Sequence, residues 1–327
     1  MTAVFGMPGS LRHLASRAAR NHLVNSLLRS ILVALGISII AFTIIRLIPG
    51  DPAQIALGDQ ASEQDIAQYR TLLGIDGSLA EQFVRYMSGL LRGDLGISLT
   101  SRQPVLMVIE RRLPATLWLI GVTSVMALVL ATPLGIAAAL YRRTWFDQVF
   151  RIGASILLAT PTFFSAVVAI LFFSINLGLA PVAGYRPTFP ENLRYLWLPA
   201  FVLCGVLVPV LARVLQSSIS DTLEQEFIET AIVRGLPRRV FFWRYLLRPS
   251  LGPTITLLGY IVGALLGAAV ILEMVFNIPG IGTALIEAVL NRDYTMVQGI
   301  VFTFGVLVVF VSFISEIAVN ALDPRTR

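Results

Sequence analysis

Lysine is missing from this chain of 327 residues: all 25 basic side chains are arginine. A phosphate-binding P-loop of the GxxxxGK[ST] type needs its lysine on the phosphates, so the chain does not hydrolyse ATP by that route. Charge of either sign is scarce, at 13% of residues, against about 25% in soluble domains. The single cysteine, Cys204, sits in an apolar run. It excludes an internal disulfide, weakens any cysteine-based zinc site and reads as a small buried hydrophobe. Both histidines, His13 and His22, lie near the N-terminus, which leaves no histidine cluster deeper in the chain to hold a metal. HExxH, GxSxG and CxxC are absent, so no catalytic constellation is visible. Asp51, Asp59, Glu63 and Asp65 form a loose acidic group that reads as a solvated loop face.

Apolar side chains are abundant, at 56%. A helix needs about 20 of them in a row to cross a bilayer. Six segments qualify: Leu27–Ile48, Pro114–Tyr141, Ile152–Leu179, Tyr195–Ala212, Leu251–Leu272 and Met296–Ala318. Prolines at 133, 161, 199, 209 and 253 do not veto them, because neighbouring helices re-satisfy freed carbonyls. The expectation is an all-α integral membrane protein of six spans. The net charge of +6 does not suggest nucleic acid, since the arginines are not gathered into one stripe with aromatics. They stand at the ends of the apolar segments, as the positive-inside rule expects of a chain in a bilayer. Arg142, Arg143 and Arg151 then mark an inner loop, as do the six arginines of Arg213–Arg248, with both termini cytoplasmic.

Residues 1–26 read as a cytoplasmic segment, with Leu11, Leu14, Ala18, Leu23 and Leu27 at the spacing of a surface amphipathic helix and no signal-peptide cleavage site. Residues 27–327 read as the membrane domain. Within it, residues 49–112 form an extracytoplasmic loop too long for a simple connector. Helices are expected there over Ala61–Leu73 and Leu79–Leu91.

The inner loop, residues 213–248, carries the densest pattern. Asp221 and Glu224 have capping-box spacing. Phe227, Ile228, Ala231 and Ile232 line one helical face. Gly235 stands where a helix terminates, and Pro237 follows. A helix over Thr222–Arg234 is expected, then a sharp turn, then a second helix from about Arg238 with Phe241, Phe242 and Tyr245 as an apolar-aromatic patch. Such a helix needs a surface to bury against. Packing on its own bundle and docking of another protein are both open readings.

Glu229-Thr230-Ala231, three residues, then Gly235 resembles the E-A-A-x-x-x-G core of the EAA loop in ATP-binding-cassette (ABC) importer permeases, with threonine for one alanine. The resemblance covers most of the chain. Leu47-Ile48-Pro49-Gly50-Asp51-Pro52, Gly93-Asp94-Leu95-Gly96-Ile97-Ser98, Leu113-Pro114-Ala115-Thr116-Leu117, Phe276-Asn277-Ile278-Pro279-Gly280-Ile281-Gly282 and Arg292-Asp293-Tyr294 occur in that order. Together they look like the first permease of the oligopeptide/dipeptide/nickel group. Glu229 stands where arginine is commoner in that group, and Arg234 where lysine is usual.

The resemblance implies a type I importer permease fold in a bacterial cytoplasmic membrane. It implies a non-catalytic subunit paired with a second homologous permease, and an extracytoplasmic binding protein that delivers solute. It also implies two ATPase subunits, which bind ATP and magnesium and dock on the loop around Phe227, Glu229, Thr230, Ala231, Arg234, Gly235 and Leu236. No cofactor is expected on this chain. Short peptides, glutathione or nickel chelates are compatible solutes.

Gly259, Gly263 and Gly267 share one face of the fifth span, which reads as close helix packing or as a wall of the translocation path. Glu273, near the end of that span, is a charge at membrane depth and so a candidate for the same path, or an interfacial group. Ile278–Ile281 reads as a re-entrant or interfacial turn at an outer gate. A self-sufficient secondary carrier or channel is the rival from another class, with a membrane scaffold or receptor as a second. Internal repeats and midplane charges would mark a carrier, and neither is clear here.

Overall fold

A computed structural model describes residues 31–43, 52–57, 61–72 and 74–322. The expected amphipathic helix before residue 27 and both ends of the first expected span lie outside them. The described part of that span is a short apolar helix, α1 (Ile31–Thr43). The outer region follows as α2 (Pro52–Leu57), α3 (Glu63–Leu72) and α4 (Leu79–Leu91). The two outer-loop helices thus stand within a residue or two of their expected places.

Ser78 shows why α4 starts where it does. The Glu81 amide donates to its hydroxyl at 3.3 Å, and its own amide donates to Glu81 Oε2 at 2.8 Å. Two otherwise orphaned donors are satisfied reciprocally. Phe83 and Tyr86 of α4 pack their rings on Phe42 of α1, with centroids 5.1 and 5.8 Å apart. Arg85 of α4 pairs with Asp76, just before the helix, and holds its carboxyl below the usual carboxylate range.

Among the described residues, four helices are long and apolar enough to cross a membrane: α5 (Val105–Leu140), α8 (Glu191–Leu223), α10 (Arg238–Val275) and α12 (Tyr294–Leu322). A fifth crossing is possible through α6 (Trp145–Ala159) and α7 (Thr162–Asn176), which meet at a bend of 103°. The expected straight helix over Ile152–Leu179 is therefore corrected. Pro161 has no N–H to continue the ladder and pushes Thr160 to extended backbone, at ψ 126°. The expected count of six becomes four to five among the described residues. Two short helices complete the chain, α9 (Glu226–Val233) and α11 (Ile281–Leu290).

The core lies between α5 and α8, where Leu119, Leu196, Leu203, Leu207 and Leu211 are buried. Gly135 permits the contact: a Cβ there would sit 2.9 Å from the Ala212 carbonyl oxygen and 2.9 Å from Leu215 Cβ. In the most apolar stretch of α8, 67% is buried inside the chain, against 11% for α12. So α8 is central, and α12 turns an apolar surface outward, which water would not tolerate and lipid does.

The outer loop is pinned to the start of α12 through Asp293. Ser98 Oγ donates to Asp293 Oδ2 at 2.5 Å and the Thr100 amide to the same oxygen at 3.2 Å, while the Met296 amide donates to Oδ1 at 3.1 Å. Gly96, at φ +84°, brings the loop so close that a Cβ would meet Thr295 Cγ2 at 2.7 Å. Two sequence motifs almost two hundred residues apart are thus halves of one contact. Asp293→Ala orphans three donors around a buried carboxylate. It is expected to lower stability by about 1–3 kcal/mol, read as a lower thermal midpoint in detergent and faster proteolysis of the outer loop.

Candidate functional site

The inner loop differs from its sequence reading at its start. Asp221 does not cap a new helix, because α8 continues through it to Leu223. The cause is tertiary. Thr222 donates to the Ser218 carbonyl at 2.7 Å and accepts from Ser250 Oγ at 3.0 Å, which holds the last turn of α8 against α10. The break falls at Glu224 and Gln225 instead, and α9 begins at Glu226.

The end of α9 matches expectation. Gly235 adopts φ +65°. Its amide donates to the Ile232 carbonyl at 2.9 Å, and the Leu236 amide reaches Ala231 at 3.5 Å. This paired closure is the Schellman motif, which requires the left-handed conformation glycine enters most easily. Pro237 then starts α10, whose first turns include a π-helical stretch over Phe241–Leu247. The fifth span thus begins at Arg238 instead of Leu251, as one continuous helix to Val275.

The residues of α9 divide between two faces. Ile228 and Ala231 are buried, and the helix lies against the opening of α10. At the same end of the bundle Leu215 and Ile219 of α8 and Leu246 of α10 form a small core, with Phe242 and Leu251 around it. Of the expected docking residues, Ala231 therefore packs inward, while Phe227 and Leu236 are half-buried. Glu229, Thr230, Arg234 and Gly235 are exposed. Beside them Ile232 and Val233 are 63% and 87% exposed. Exposed aliphatic side chains next to charges are an unfinished surface. The sequence reading placed Ile232 on one apolar face with Phe227, Ile228 and Ala231, and did not single out Val233. The spacing alone could not tell which edge of the apolar stripe faces the bundle.

The glycines of the fifth span do not form one wall. Gly259 is buried, Gly263 packs against Val308 of α12, and Gly267 is exposed with open space around it. The uncovered face of α10 runs through Thr256, Tyr260, Ala264, Gly267, Ile271 and Met274, at spacings of three and four residues.

Glu273 is not on that face. It is fully buried and turned into its own chain. Thr116 Oγ1 of α5 donates to Oε1, and the Thr283 amide donates to Oε2 at 3.0 Å. Thr116 Oγ1 in turn accepts from the Ile281 amide at 2.9 Å. One turn from Thr116, Arg112 pairs with Glu287 of α11 at 3.0 Å and donates to Thr283 Oγ1 at 3.3 Å. Above this cluster, Ser98, Thr100, Arg111, Glu287, Asn291 and Asp293 help to line a polar cavity of about 290 Å³. Among the described residues no group of three or more His, Cys, Asp or Glu side chains is placed to hold a metal ion.

Comparison with known proteins gives the geometry its context. Residues 131–327 match the family described as binding-protein-dependent transport system inner membrane component. Residues 20–120 match the N-terminal family of the same systems' membrane components. The glutathione transport system permease protein GsiC of Salmonella paratyphi A is 32% identical over 307 residues, covering 94% of this chain and 99% of that protein. A putative peptide transport system permease protein of Brucella abortus is 33% identical over 302 residues, 91% of this chain and 96% of the relative. Among solved structures, an inward-facing MetNI methionine ABC transporter matches with a TM-score of 0.56 at 17% identity, over 67% of this chain and 97% of that one. The fold is therefore the all-α, multi-span type I importer permease fold. The relatives also correct the expected group: the similarity is to a glutathione permease and to peptide permeases, which places the chain with the oligopeptide/dipeptide/glutathione permeases instead of the oligopeptide/dipeptide/nickel group.

Proposed function

This chain belongs to the inner membrane components of binding-protein-dependent transport systems, a non-catalytic ABC importer permease in a multi-subunit transporter, and on that premise we propose how it works. Its solute is a short peptide or a small peptide-like molecule such as glutathione. The path runs along the uncovered face of α10, between this chain and a second homologous permease. An extracytoplasmic binding protein delivers solute to the outer face, where the polar cavity near Arg111 and Asn291 opens. Two ATPase subunits, carrying ATP and magnesium, dock on the loop of residues 213–248. Residues 27–48 supply a further span, giving six, with residues 1–26 and the C-terminus in the cytoplasm.

The observation that carries this reading is the divided face of α9. Its inner side is seated by Ile228 and Ala231, and its outer side presents Ile232 and Val233 between Glu229 and Arg234. An apolar centre with a charged rim is the anatomy of a protein interface. Through the Gly235 turn, a push on that face is delivered to α10 as rigid-body rotation.

The test is affinity purification of the tagged chain from its host in mild detergent, with co-purifying proteins identified by mass spectrometry. A second permease and P-loop ATPases are expected, and ATP hydrolysis by the complex should rise when the binding protein is added with short peptides or glutathione. A stable chain that purifies without any ATPase would favour a self-sufficient carrier.

A further inference from the structure

We infer that Glu273 is a positioning residue for transport: its buried carboxylate locks the outer end of α10 to α5 and α11, so that motion entering α10 at the Gly235 turn reaches the outer face as one rigid displacement. The inference rests on the reading that α9 receives the drive.

A rod and an anchor make the case. The rod is α10, 38 residues without a break, or roughly 55 Å at about 1.5 Å per residue. It starts three residues beyond Gly235 and ends two residues past Glu273. A displacement at one end is therefore felt at the other, provided the far end is held.

The anchor is the carboxylate. Beyond Val275 the chain turns sharply through Asn277, at φ +50°, and re-enters as α11. The first amides of a helix have no partner within it. Here Glu273 supplies the acceptor for the Thr283 amide, and Thr116 of α5 supplies one for Ile281. Thr116 also donates to Glu273, so one carboxylate and one hydroxyl tie three elements together. Arg112, one turn along α5, repeats the tie through Thr283 and Glu287.

The fit leaves no slack. A Cβ at Gly280 would overlap the Glu273 carboxylate, and one at Gly282 would lie 2.7 Å from Oε2 and 2.7 Å from Val270 Cα. The turn is seated by Phe276 and Ile278, both at most 2% exposed, and the Phe276 carbonyl accepts from the Gly184 amide at 2.8 Å. A buried carboxylate with this many donors is expensive to unseat. The outer turn therefore follows α10 and does not move independently.

Cysteine labelling reads this directly, because the only cysteine in the sequence is buried. In a Cys204→Ala background, Ile278→Cys is probed with a membrane-impermeant maleimide, with exposed Pro279→Cys as the labelled control. Glu273→Leu removes the acceptor. Labelling at position 278 should rise at least ~10-fold and uptake fall at least ~10-fold, while ATP hydrolysis by the assembled transporter stays within about twofold. Glu273→Gln keeps an oxygen for the Thr283 amide and can donate to Thr116 Oγ1, so it should remain within about threefold of the parent in both assays. A residue that merely supports folding would not separate hydrolysis from uptake in this way.

Should Glu273→Leu fail to accumulate, Thr116→Val decides, since it deletes the hydroxyl at nearly constant volume and should raise labelling in the same direction. Unchanged labelling together with parental uptake in the deciding variant overturns the inference. So does loss of hydrolysis in step with uptake while position 278 stays protected. Absence of ATPases from the parental complex would count against the docking reading instead, and the labelling assay reports on the clasp without them.

Discussion

Replacing Gly235 with valine is expected to abolish coupling while leaving the chain inserted: uptake falls at least ~10-fold, the factor that about 1.4 kcal/mol represents, and ATP hydrolysis by the assembled transporter persists. The cause is purely conformational. Gly235 sits at φ +65°, and a Cβ built there would meet nothing within 4 Å. An ordinary L-residue in this region costs about 1–2 kcal/mol, and a β-branched one is worse placed still. The chain relieves the strain by leaving the left-handed conformation, which breaks the closure on Ile232 and Ala231 and re-aims α9 relative to α10.

Asparagine supplies the control, because it enters this region with little penalty. Gly235→Asn should retain most uptake although it adds a larger side chain. Parental uptake in Gly235→Val, measured at equal membrane abundance, would remove the turn from the mechanism. Glu229→Ala is expected to reduce uptake less, since an exposed rim charge contributes little.

The second large effect is on stability. Gly135→Val drives a side chain into the Ala212 carbonyl oxygen and Leu215, each 2.9 Å from the point its Cβ would occupy. Backbone cannot step aside as a flexible side chain can, so α5 and α8 must separate along the core. Overpacking of this kind costs about 1–3 kcal/mol or more, and it falls on the contact that holds the most buried span. The expected readouts are poor accumulation in the membrane and a clearly lowered thermal midpoint in detergent. Gly267→Val is the matched comparison, with open space around its Cβ position. It should leave the midpoint unchanged and, if that face lines the path, reduce uptake alone. Equal midpoints for the two variants would mean that the α5–α8 contact tolerates separation.

How much of this was legible depended on the range of the interaction responsible. The Gly235 stop and the outer-loop helices were readable because their causes are local: a glycine two residues before a proline, and apolar side chains at helical spacing. The start of α9 was misread for the complementary reason. Asp221 has cap chemistry, but a threonine–serine contact between α8 and α10 keeps the helix running past it. The bend between α6 and α7 has its local cause in Pro161, yet hydropathy over Ile152–Leu179 is blind to direction. Val233 escaped notice because periodicity defines an apolar stripe without saying which edge the bundle covers.

By itself, then, the sequence determined that this chain lives in lipid, that its backbone is helical, that it hydrolyses no ATP through a P-loop and that its inner loop turns at Gly235. These follow from composition and from interactions within one helical turn. Only the tertiary structure decided the role of Glu273. At the end of an apolar span a carboxylate reads equally as a path residue or an interfacial charge. What distinguishes them is whether donors converge on it, and those donors come from Thr116, over 150 residues earlier, and from an amide of a helix the chain has not yet formed when it passes Glu273. The union of Ser98 with Asp293 was hidden for the same reason: hydrogen bonds are set by distance in space, and distance along the chain carries no information about it.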